Sequence, residues 1–508
     1  MLILKASNFS TVFFFLLSLA VNVYGMTYYI SPDGDDYGNN GVYDTPWKTL
    51  SYAMKQMQSG DTLIVKDGVY RGEENAINNN SFPPYGSANA WTIIKAEHPG
   101  AAIFDGQTNT SMFWTNKGDM TDLYWQFEGL IWKDSGVQIL NARYVKFFYC
   151  GSSGAGNGKG ANFCAGRNAE YFLFENCYAW GRGRYKFEAY QSKYIIFRQC
   201  VARLDDEDAG GEPVGLFSMY SVTDGEVQNC IGIDSDQPKL WHNILQRAGT
   251  FVVPSTDMDA ERINFVGCIA LNNQLGGLCV TGNESYKAKN ITFVNCIIWD
   301  CNTDDGSCVN RDRGLNTQIR NCTFGDGKSD REPYYLSWDG IGYDNNTSIK
   351  NSIFYNIKGG HAVLDDVEYE DFNCFFGNSK NFSSTAKGKN TLLSVNPVYN
   401  AKTNILGGLK YICRVEEHSN LFKRGENGMN IGASALNLVG RSGSLWGDPG
   451  YNEIQNVSMW PFPNQDLIKL KMGEYVQGGI SGKRGFCKDG TTLTKYIWEY
   501  LGNNLPLK

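Results

Sequence analysis

The sequence has few of the residues and motifs that several common functional sites require. Its 508 residues include only four histidines, widely spaced, which argues against a zinc site. Neither a nucleophile elbow nor a glycine-rich phosphate loop is present. Beyond the first 25 residues there is no apolar run long enough to cross a membrane. The net charge of -7 and the isoelectric point of 5.4 argue against nucleic acid or an anionic membrane surface as a partner.

The one long apolar run lies at the N-terminus. Lys5 precedes the run from Val12 to Ala20, and Val23 and Gly25 follow it at the spacing of a cleavage site. This order is typical of a secretory signal peptide, whose apolar core is too short to span a membrane and remain in it. The sequence therefore predicts a signal peptide over residues 1–25 and a mature protein that is periplasmic or extracellular.

Long segments with helical periodicity are also missing between Ala142 and Cys322, where a short motif recurs instead. Each copy is an apolar strand, rich in aromatic and β-branched residues, that ends in Asn-Cys or a near match. The copies end at Cys150, Cys177, Cys200, Cys230, Cys268, Cys296 and Cys322, at spacings of 27, 23, 30, 38, 28 and 26 residues. Such a period is typical of a coiled repeat in which each coil buries its apolar side against the next. The sequence predicts an all-β protein, a right-handed parallel β-helix.

Stacked coils predict columns of equivalent residues along the helix axis. The cysteines form one column, which we expect to consist of free, buried thiols. Cys374, Cys413 and Cys487 lie beyond it and are the candidates for any disulfide. The positions one and three residues after each cysteine are mostly apolar, so we expect both columns to face the interior. They contain Tyr178, Val201, Ile231, Ile269, Ile297 and Thr323, and then Trp180, Arg203, Ile233, Leu271, Trp299 and Gly325.

The asparagines that precede the cysteines form a further column. We expect them to mark a turn in which the amides bond to one another and to the turn backbone.

The chain divides into three predicted regions. Residues 1–25 form the signal peptide, residues 26–400 the β-helix with an N-terminal cap, and residues 401–508 a C-terminal capping region that packs along or over the last coils. The N-terminal cap contains a predicted helix with Leu50 on its apolar face and Thr45 as N-cap. The C-terminal region contains one predicted helix that runs to Tyr475 and a second from Thr492 to Leu501. We expect a monomer.

The N-terminal cap carries a resemblance to a known superfamily. The order of a strand, a helix opened by Pro46 and Trp47, and the stretch from Gly60 to Tyr70 resembles the cap of secreted β-helix proteins of the pectin-lyase-like superfamily. This superfamily includes pectate, alginate and chondroitin lyases, and also hydrolases, epimerases and non-enzymatic adhesins. The resemblance covers residues 26–400 and implies an acidic polysaccharide as partner.

Lyases of this superfamily cleave uronic-acid polymers by β-elimination. The reaction needs a base for the C5 proton and a cation that neutralises the adjacent carboxylate. Arg203 interrupts an otherwise apolar column, and Asp205 and Asp206 follow it closely. A cation at the edge of the core with acids beside it is the arrangement that this chemistry requires.

One coil before Arg203, Lys186 and Glu188 flank Phe187, which we expect to face inward over Phe217. Alternation then predicts that Lys186 and Glu188 both face outward. The resulting hypothesis assigns Lys186 as base, Arg203 as carboxylate neutraliser, and Glu188, Asp205 and Asp206 as ligands of a Ca²⁺ ion.

Each of these assignments has a plainer alternative. Arg203 can be satisfied structurally by an ion pair with one of the acids that follow it, and Lys186 can lie on an ordinary solvated strand face. The protein would then be a non-catalytic carbohydrate-binding or structural protein of the surface or matrix. A groove that exposes Lys186 beside Arg203 favours the lyase hypothesis, whereas an Arg203 paired with Asp205 on a flat face favours binding or structure.

Overall fold

A computed structural model describes residues 25–502 of the chain with several gaps. The gaps are residues 109–110, 156–159, 206–214, 236–248, 302–308, 312–313, 327–345, 358–360, 364–366, 383–386, 400–406 and 478. The predicted signal peptide (apart from Gly25) and the predicted calcium ligand Asp206 lie outside the described residues.

The described chain is a stack of coils whose strands form three walls, here named sheets 1, 2 and 3 in the order in which each coil visits them. Sheet 1 contains Ala161–Gly166, Tyr185–Tyr190, Gly215–Tyr220, Gly249–Ser255, Gly276–Gly282 and Val309–Arg311. Sheet 2 contains Thr27–Ile30, Thr62–Val65, Thr92–Ala96, Glu170–Glu175, Lys193–Arg198, Thr223–Gln228, Ala260–Val266, Ala288–Val294, Gly314–Leu315, Gln318–Arg320, Thr347–Lys350 and Val367–Asp371. Sheet 3 contains Gly68–Tyr70, Ala102–Asp105, Ile131–Lys133, Gly151–Ser153, Tyr178–Trp180, Val201–Ala202, Ile231–Ile233, Ile269–Asn273, Ile297–Cys301, Thr323–Gly325, Ile353–Tyr355 and Cys374–Phe376.

Two long strands, Phe113–Glu128 and Val137–Phe148, run from sheet 1 into sheet 2 and join these walls. Pairing within the three walls is parallel, and each strand pairs with its equivalents in the coils before and after it. Parallel strands linked in this way need crossover connections, which are right-handed as a rule. The predicted right-handed parallel β-helix is confirmed.

Stacked rings and thiols fill the interior of the β-helix. Phe163, Phe187 and Phe217 lie in consecutive coils, with ring centroids 5.2 Å apart at each step. The thiols from Cys177 to Cys322 donate hydrogen bonds to carbonyl groups one coil earlier. The described cysteines are all free and buried. The predicted thiol column is confirmed, and none of Cys374, Cys413 and Cys487 is bridged.

The prediction that both columns after the cysteines face the interior is wrong. Ala179, Ala202 and Ala270 share the interior core with the cysteines. Tyr178, Trp180, Ile231, Leu271 and their equivalents instead belong to a second apolar cluster on the outer face of sheet 3. Strand alternation requires this, because a residue next to an inward-facing cysteine points outward. The outward side chains are apolar because the C-terminal region buries them.

The N-terminal cap contains helix α1 (Leu50–Gln56), whose Leu50, Ala53 and Met54 are buried as predicted. The predicted N-cap Thr45 is wrong. Thr49 is the N-cap, and its side chain accepts a hydrogen bond from the backbone N–H of Tyr52 at 3.2 Å. The helix starts later because Asp36 accepts hydrogen bonds from the backbone N–H groups of Lys48 and Thr49, which fixes the segment before it as extended chain.

The C-terminal region lies along the side of the β-helix. It contains helices α2 (Gln465–Gly473) and α3 (Leu493–Tyr500), close to their predicted positions. It also contains two short antiparallel pairs, Asn437–Val439 with Ile454–Ser458 and Val476–Gln477 with Ile480–Ser481. A separate parallel pair, His361–Val363 with Lys380–Phe382, lies in the last coils. No helix in the described ranges is long and apolar enough to cross a membrane.

The contacts of the C-terminal region extend far beyond the last coils. The backbone N–H of Gly432 donates to the carbonyl of Asn351 in a late coil at 2.7 Å, and Leu467 packs against Gly100 in an early one. The region therefore covers the outer face of sheet 3 along most of the stack.

The asparagines before the cysteines occupy a turn, as predicted, and their backbone in it is left-handed. Asn176, Asn229 and Asn321 have φ values of 56°, 50° and 51°. Their described bonds differ from the prediction, because they attach the C-terminal region. Asn229 donates to the carbonyl of Asn437 at 3.1 Å and accepts from the N–H of Val439 at 2.6 Å, and Asn321 donates to the carbonyl of Asn430 at 2.7 Å.

Candidate functional site

Arg203 lies sealed between sheet 3 and the C-terminal region. Its side chain is 0% exposed, and its Nε is 2.7 Å from Oδ1 of Asp205. Its Nη2 donates to the carbonyl of Met472 at 2.9 Å, and its Nη1 lies 3.2 Å from Sγ of Cys487. Every one of these contacts is internal to the protein. The predicted role as carboxylate neutraliser requires contact with a polymer outside, and this burial contradicts it.

The carboxylate of Asp205 is likewise bonded to groups inside the protein. It also pairs with Arg484 at 2.9 Å, and its other oxygen accepts from the backbone N–H of Gly181 at 3.0 Å. With both oxygens occupied by donors, Asp205 does not fit the predicted role of calcium ligand. The plainer interpretation of Arg203, an ion pair with a following acid, is confirmed.

Lys186 does not face outward. Its side chain is 1% exposed, and its ammonium donates to the carbonyl groups of Gly181 and Gly183 at 2.6 and 3.1 Å. The strand bends at its start, because the equivalent Leu216 belongs to the interior core together with the neighbouring Phe217. The simple alternation behind the prediction therefore fails at this position. The predicted role of Lys186 as base is contradicted, because its ammonium is inside and holds the turn before the strand.

Glu188 does face outward, as predicted, since Phe187 and Ala189 on either side of it lie in the interior core. It belongs to a column that crosses the outer face of sheet 1 through paired strands. The column runs Trp114, Gln138, Cys164, Glu188, Ser218, Val252 and Cys279. Glu188 is the carboxylate of this column and stays partly exposed.

The environment of Glu188 keeps its carboxyl group near the midpoint of its titration at neutral pH. Burial raises the pKa of Glu188 to about 7, and a hydrogen bond with Cys164 and the charge of Arg184 offset part of that effect. Arg184 precedes the strand, and its guanidinium carbon lies 4.9 Å from the centroid of the Tyr185 ring. A carboxyl group with such a pKa can both accept and release a proton at neutral pH.

Two hydroxyl groups near Glu188 lack a hydrogen-bond partner of good geometry within the part of the chain that the structure describes, although the side chain of Arg184 interacts with that of Tyr185. They are Oη of Tyr185 and Oγ of Ser218, and both are buried. Ser218 is paired with Glu188 across the strands, and the charge of Glu188 contributes to the raised pKa of Tyr185. Unsatisfied buried hydroxyls are costly unless something else bonds to them.

Aromatic and acidic side chains border this face at the turn into sheet 2. Tyr190 donates to Oδ2 of Asp257 at 2.7 Å, and its ring meets that of Tyr220 edge to face at 5.1 Å. Tyr190 and Tyr220 occupy the next outward position of the same two strands as Glu188 and Ser218. The face thus combines a titratable carboxyl group, a cation, buried hydroxyl groups and aromatic rings.

The sequence hypothesis named Glu188 as a calcium ligand and did not name Arg184, Tyr185 or Ser218. The alignment of Phe187 over Phe217, which the structure confirms at 5.2 Å, already implies that Ser218 lies beside Glu188. No signal in the sequence separates Arg184 from other arginines, because its position depends on the turn that Lys186 holds.

The predicted calcium site is not assembled from the residues that the structure covers. Among these residues, the ligand atoms of Asp67, Glu97 and His98 converge at the surface, and those of Glu188 and Asp205 belong to no such group of three or more.

Comparisons with known proteins concern the fold. No protein-family model matches the sequence, and no curated protein is significantly similar to it. A solved pectate lyase, Pel9A, is 14% identical, with 80% of this chain and 95% of that chain covered and a TM-score of 0.43. The alginate lyase AlyF-OU02, solved in complex with G6, is 10% identical, with 76% and 92% covered and a TM-score of 0.45. The A-module of the mannuronan C-5 epimerase AlgE4 from Azotobacter vinelandii is 13% identical, with 68% and 92% covered and a TM-score of 0.36.

At these identities and scores no residue role passes from those proteins to this chain. The architecture of this chain is established by its own strand pairing. It is a right-handed parallel β-helix protein.

Proposed function

We propose that this protein is an exported enzyme that cleaves an acidic, uronate-containing polysaccharide by β-elimination on the outer face of sheet 1, with Glu188 as the base. One observation carries the proposal. A carboxyl group with a pKa of about 7 faces outward beside the charge of Arg184 and beside the buried hydroxyl groups of Tyr185 and Ser218. Groups with shifted pKa values that converge on one outer face are characteristic of catalytic sites.

The arrangement suits each requirement of the elimination. Ionised Glu188 removes the C5 proton of a uronate, the electron pair forms the C4–C5 double bond, and the bond from C4 to the glycosidic oxygen breaks. Arg184 pairs with the uronate carboxylate, which acidifies the C5 proton and stabilises the charge that develops there. Burial raises the pKa of Tyr185, so its hydroxyl stays protonated and can donate its proton to the departing oxygen.

Hydrolysis fits the same face less well. Glycoside hydrolysis uses two carboxylates on either side of the scissile bond. Among the described members of the outward column, the neighbours of Glu188 are Gln138, Cys164, Ser218 and Val252, none of which is acidic. The carboxylate of Asp257 at the border of the face accepts a hydrogen bond from Tyr190. One base and one cation are sufficient for an elimination.

The alternative is a non-catalytic carbohydrate-binding protein. The observation in its favour is the Arg203–Asp205 pair, which removes the two charges expected for a lyase. In that case the face around Glu188 holds a glycan without cleaving it. Binding of acidic glycans with no product formation distinguishes this alternative from the enzyme.

The test is an assay of the mature protein against pectate, alginate, rhamnogalacturonan and chondroitin, each with and without calcium. The readout is the ultraviolet absorbance of unsaturated uronate ends. We expect product on at least one substrate, lost in Glu188→Gln. The matched control is Glu226→Gln, because burial also raises the pKa of Glu226 to about 7 but Glu226 lies on sheet 2, in the strand Thr223–Gln228. Equal activity of Glu188→Gln and the wild type would refute the assignment.

The comparison of assays with and without calcium tests the remaining prediction, which is that of a calcium ion at the site. Asp205 is occupied by two arginines, so the predicted ligand set does not fit a calcium ion. The proposed reaction therefore assigns carboxylate neutralisation to Arg184. An activity that is unchanged by chelation agrees with this assignment, and an activity abolished by chelation contradicts it.

A further inference from the structure

Lys117 lies in a cage of aromatic rings at the border between sheets 1 and 2. Its ammonium is 3.2 Å from the ring centroid of Phe82, 5.6 Å from that of Tyr85 and 5.5 Å from that of Trp125. Phe82 and Tyr85 are themselves stacked at 5.6 Å, and the indole N–H of Trp125 donates to the carbonyl of Pro84 at 3.1 Å, which fixes the loop against the strand. The cage therefore holds the ammonium in one place.

No hydrogen bond or ion pair joins this ammonium to the described part of the chain, although a half-buried cation normally has an anionic partner. Its described contacts are the three rings. Burial lowers the pKa of Lys117 to about 8. Aromatic faces attract a cation but leave its charge unneutralised. Lys117 thus offers a fixed positive charge that an external carboxylate can neutralise.

Exposed aromatic faces accompany this charge. Tyr85 in the cage is 40% exposed, and Trp114, three residues before Lys117, is 38% exposed. Trp114 belongs to the same outward column as Glu188 and is paired to it through Gln138 and Cys164. Three strand spacings separate the two residues, or roughly 14 Å at about 4.8 Å per spacing. A polymer that lies along sheet 1 at Glu188 and continues toward the N-terminal coils meets Trp114 and then Lys117.

We propose that Trp114, Tyr85 and Lys117 form a distal subsite that binds a uronate unit of the polymer whose cleavage is assigned to Glu188, with Lys117 pairing to the uronate carboxylate and the two aromatic rings contacting the sugar faces. This inference rests on the proposed function. It adds the direction in which the polymer lies, and it makes the enzyme selective for chains with a carboxylate several units from the bond that is cleaved. Partly exposed aromatic rings and a fixed positive charge are suited to the C–H-lined face and the carboxylate of an anionic sugar.

The test measures binding of acidic oligosaccharides of increasing length to the Glu188→Gln variant, which binds without cleaving. Lys117→Met in this background keeps an unbranched apolar stem in the cage and removes the charge. We expect a loss of affinity of about tenfold for oligosaccharides long enough to reach from residue 188 to residue 117, and no loss for shorter ones. Lys193→Met is the matched control, because Lys193 is exposed, pairs with Glu170 at 3.0 Å and lies on sheet 2. Trp114→Ala should weaken the binding of the same long oligosaccharides, whether or not their carboxyl groups are reduced. Lys117→Met should leave the binding of the carboxyl-reduced oligosaccharides unchanged.

A second readout uses the amine directly. An amine with a lowered pKa reacts readily with acylating reagents, and a bound long acidic oligosaccharide should protect Lys117 from acylation where a short one does not. Two results overturn the inference in distinguishable ways. If Glu188→Gln binds acidic oligosaccharides but Lys117→Met binds every length equally well, the distal subsite is wrong and the proposed function stands. If no acidic oligosaccharide of any length binds, the proposed function fails and the subsite fails with it.

Discussion

The outer faces of sheet 1 and sheet 3 each carry a charged residue in an outward column, and the two faces differ in what surrounds that charge. Arg203 on sheet 3 has Asp205, Met472 and Cys487 around its guanidinium and no exposure to solvent. Glu188 on sheet 1 keeps partial exposure and a pKa of about 7, with the buried hydroxyl groups of Tyr185 and Ser218 beside it. A polar residue in a repeat column can therefore either anchor the C-terminal region or face a ligand. The residues that surround it distinguish the two cases.

The C-terminal region packs against the outer face of sheet 3. The outward residues of this sheet form an apolar cluster with α2, α3 and their neighbours, and Arg203 anchors this cover. A similar seal exists on sheet 2, where Arg198 pairs with Glu175 at 2.9 Å and donates to the carbonyl groups of Arg441 and Tyr451. On sheet 1 the outward residues Cys164, Ser218 and Val252 are also buried, whereas Glu188 keeps partial exposure.

The largest effect that we expect is a loss of activity when Glu188, on the outer face of sheet 1, is replaced. Glu188→Gln should lower kcat/KM on the acidic substrate by about 10²- to 10⁴-fold, the usual contribution of a positioned general base. In the wild type, kcat/KM should rise with pH and level off above about 7, where Glu188 is ionised. Steady-state rates between pH 5 and pH 9 check both expectations. A flat pH profile together with an active Glu188→Gln variant would contradict the assignment.

Removal of the sheet 3 anchor should affect stability and leave activity per folded molecule unchanged. Arg203→Met should lower the free energy of unfolding by about 3–5 kcal/mol, because it leaves Asp205 buried without one of its partners. The control is Arg262→Met, whose 50% exposed side chain pairs with Asp224 and should contribute less than about 1 kcal/mol. Denaturant titration measures both. An Arg203 variant as stable as the wild type but inactive would restore Arg203 as a functional residue.

The apolar outer face of sheet 3 should be as important for stability as the interior. Leu271 belongs to the outer cluster and Ile298 to the interior core, and both are 0% exposed. Truncation of either residue to alanine should cost about 2–5 kcal/mol. A much smaller cost for Leu271→Ala in denaturant titrations would mean that the C-terminal region is only loosely attached.

The smallest effect concerns the pH dependence of stability. The folded state raises the pKa of Glu188 to about 7 from its ordinary 4.5, so the native protein holds this proton over a range in which the unfolded chain releases it. The free energy of unfolding should therefore fall as the pH rises from about 4.5 to 7, by on the order of 1 kcal/mol for a partly solvated group. Glu188→Gln removes this contribution, so its stability relative to the wild type should increase across that window. A constant difference between the two proteins from pH 4.5 to pH 8 would argue against the raised pKa.

The sequence was sufficient for the fold because the fold repeats. The Asn-Cys ending of each strand marks the turn and the interior column together, and the spacing of the copies reveals the coil. Side-chain direction was predictable where alternation is regular, as at Phe187 and Glu188. The predicted side-chain direction was wrong at Lys186, because the regular alternation of the strand breaks just before Phe187. The sequence of one coil does not show where alternation breaks.

The outer face of sheet 3 was misassigned for a different physical reason. Apolar content reports burial and does not report which core a residue enters. Val201 and Ile269 look like interior residues because a second core covers them, and that core is built with a C-terminal region that has no repeat. Only its attachment points, such as Asn229 and Arg203, carry polar groups that could have hinted at it.

The most direct test of the account is the crystal structure of Glu188→Gln with a long uronate oligosaccharide. The account predicts an oligosaccharide along the outer face of sheet 1, with one carboxylate on Arg184 and the C5 atom of that unit beside residue 188. An oligosaccharide bound instead against the C-terminal region, or anywhere that leaves Arg184 and residue 188 without contact, would contradict the central claim that sheet 1 carries the site and sheet 3 the docking surface.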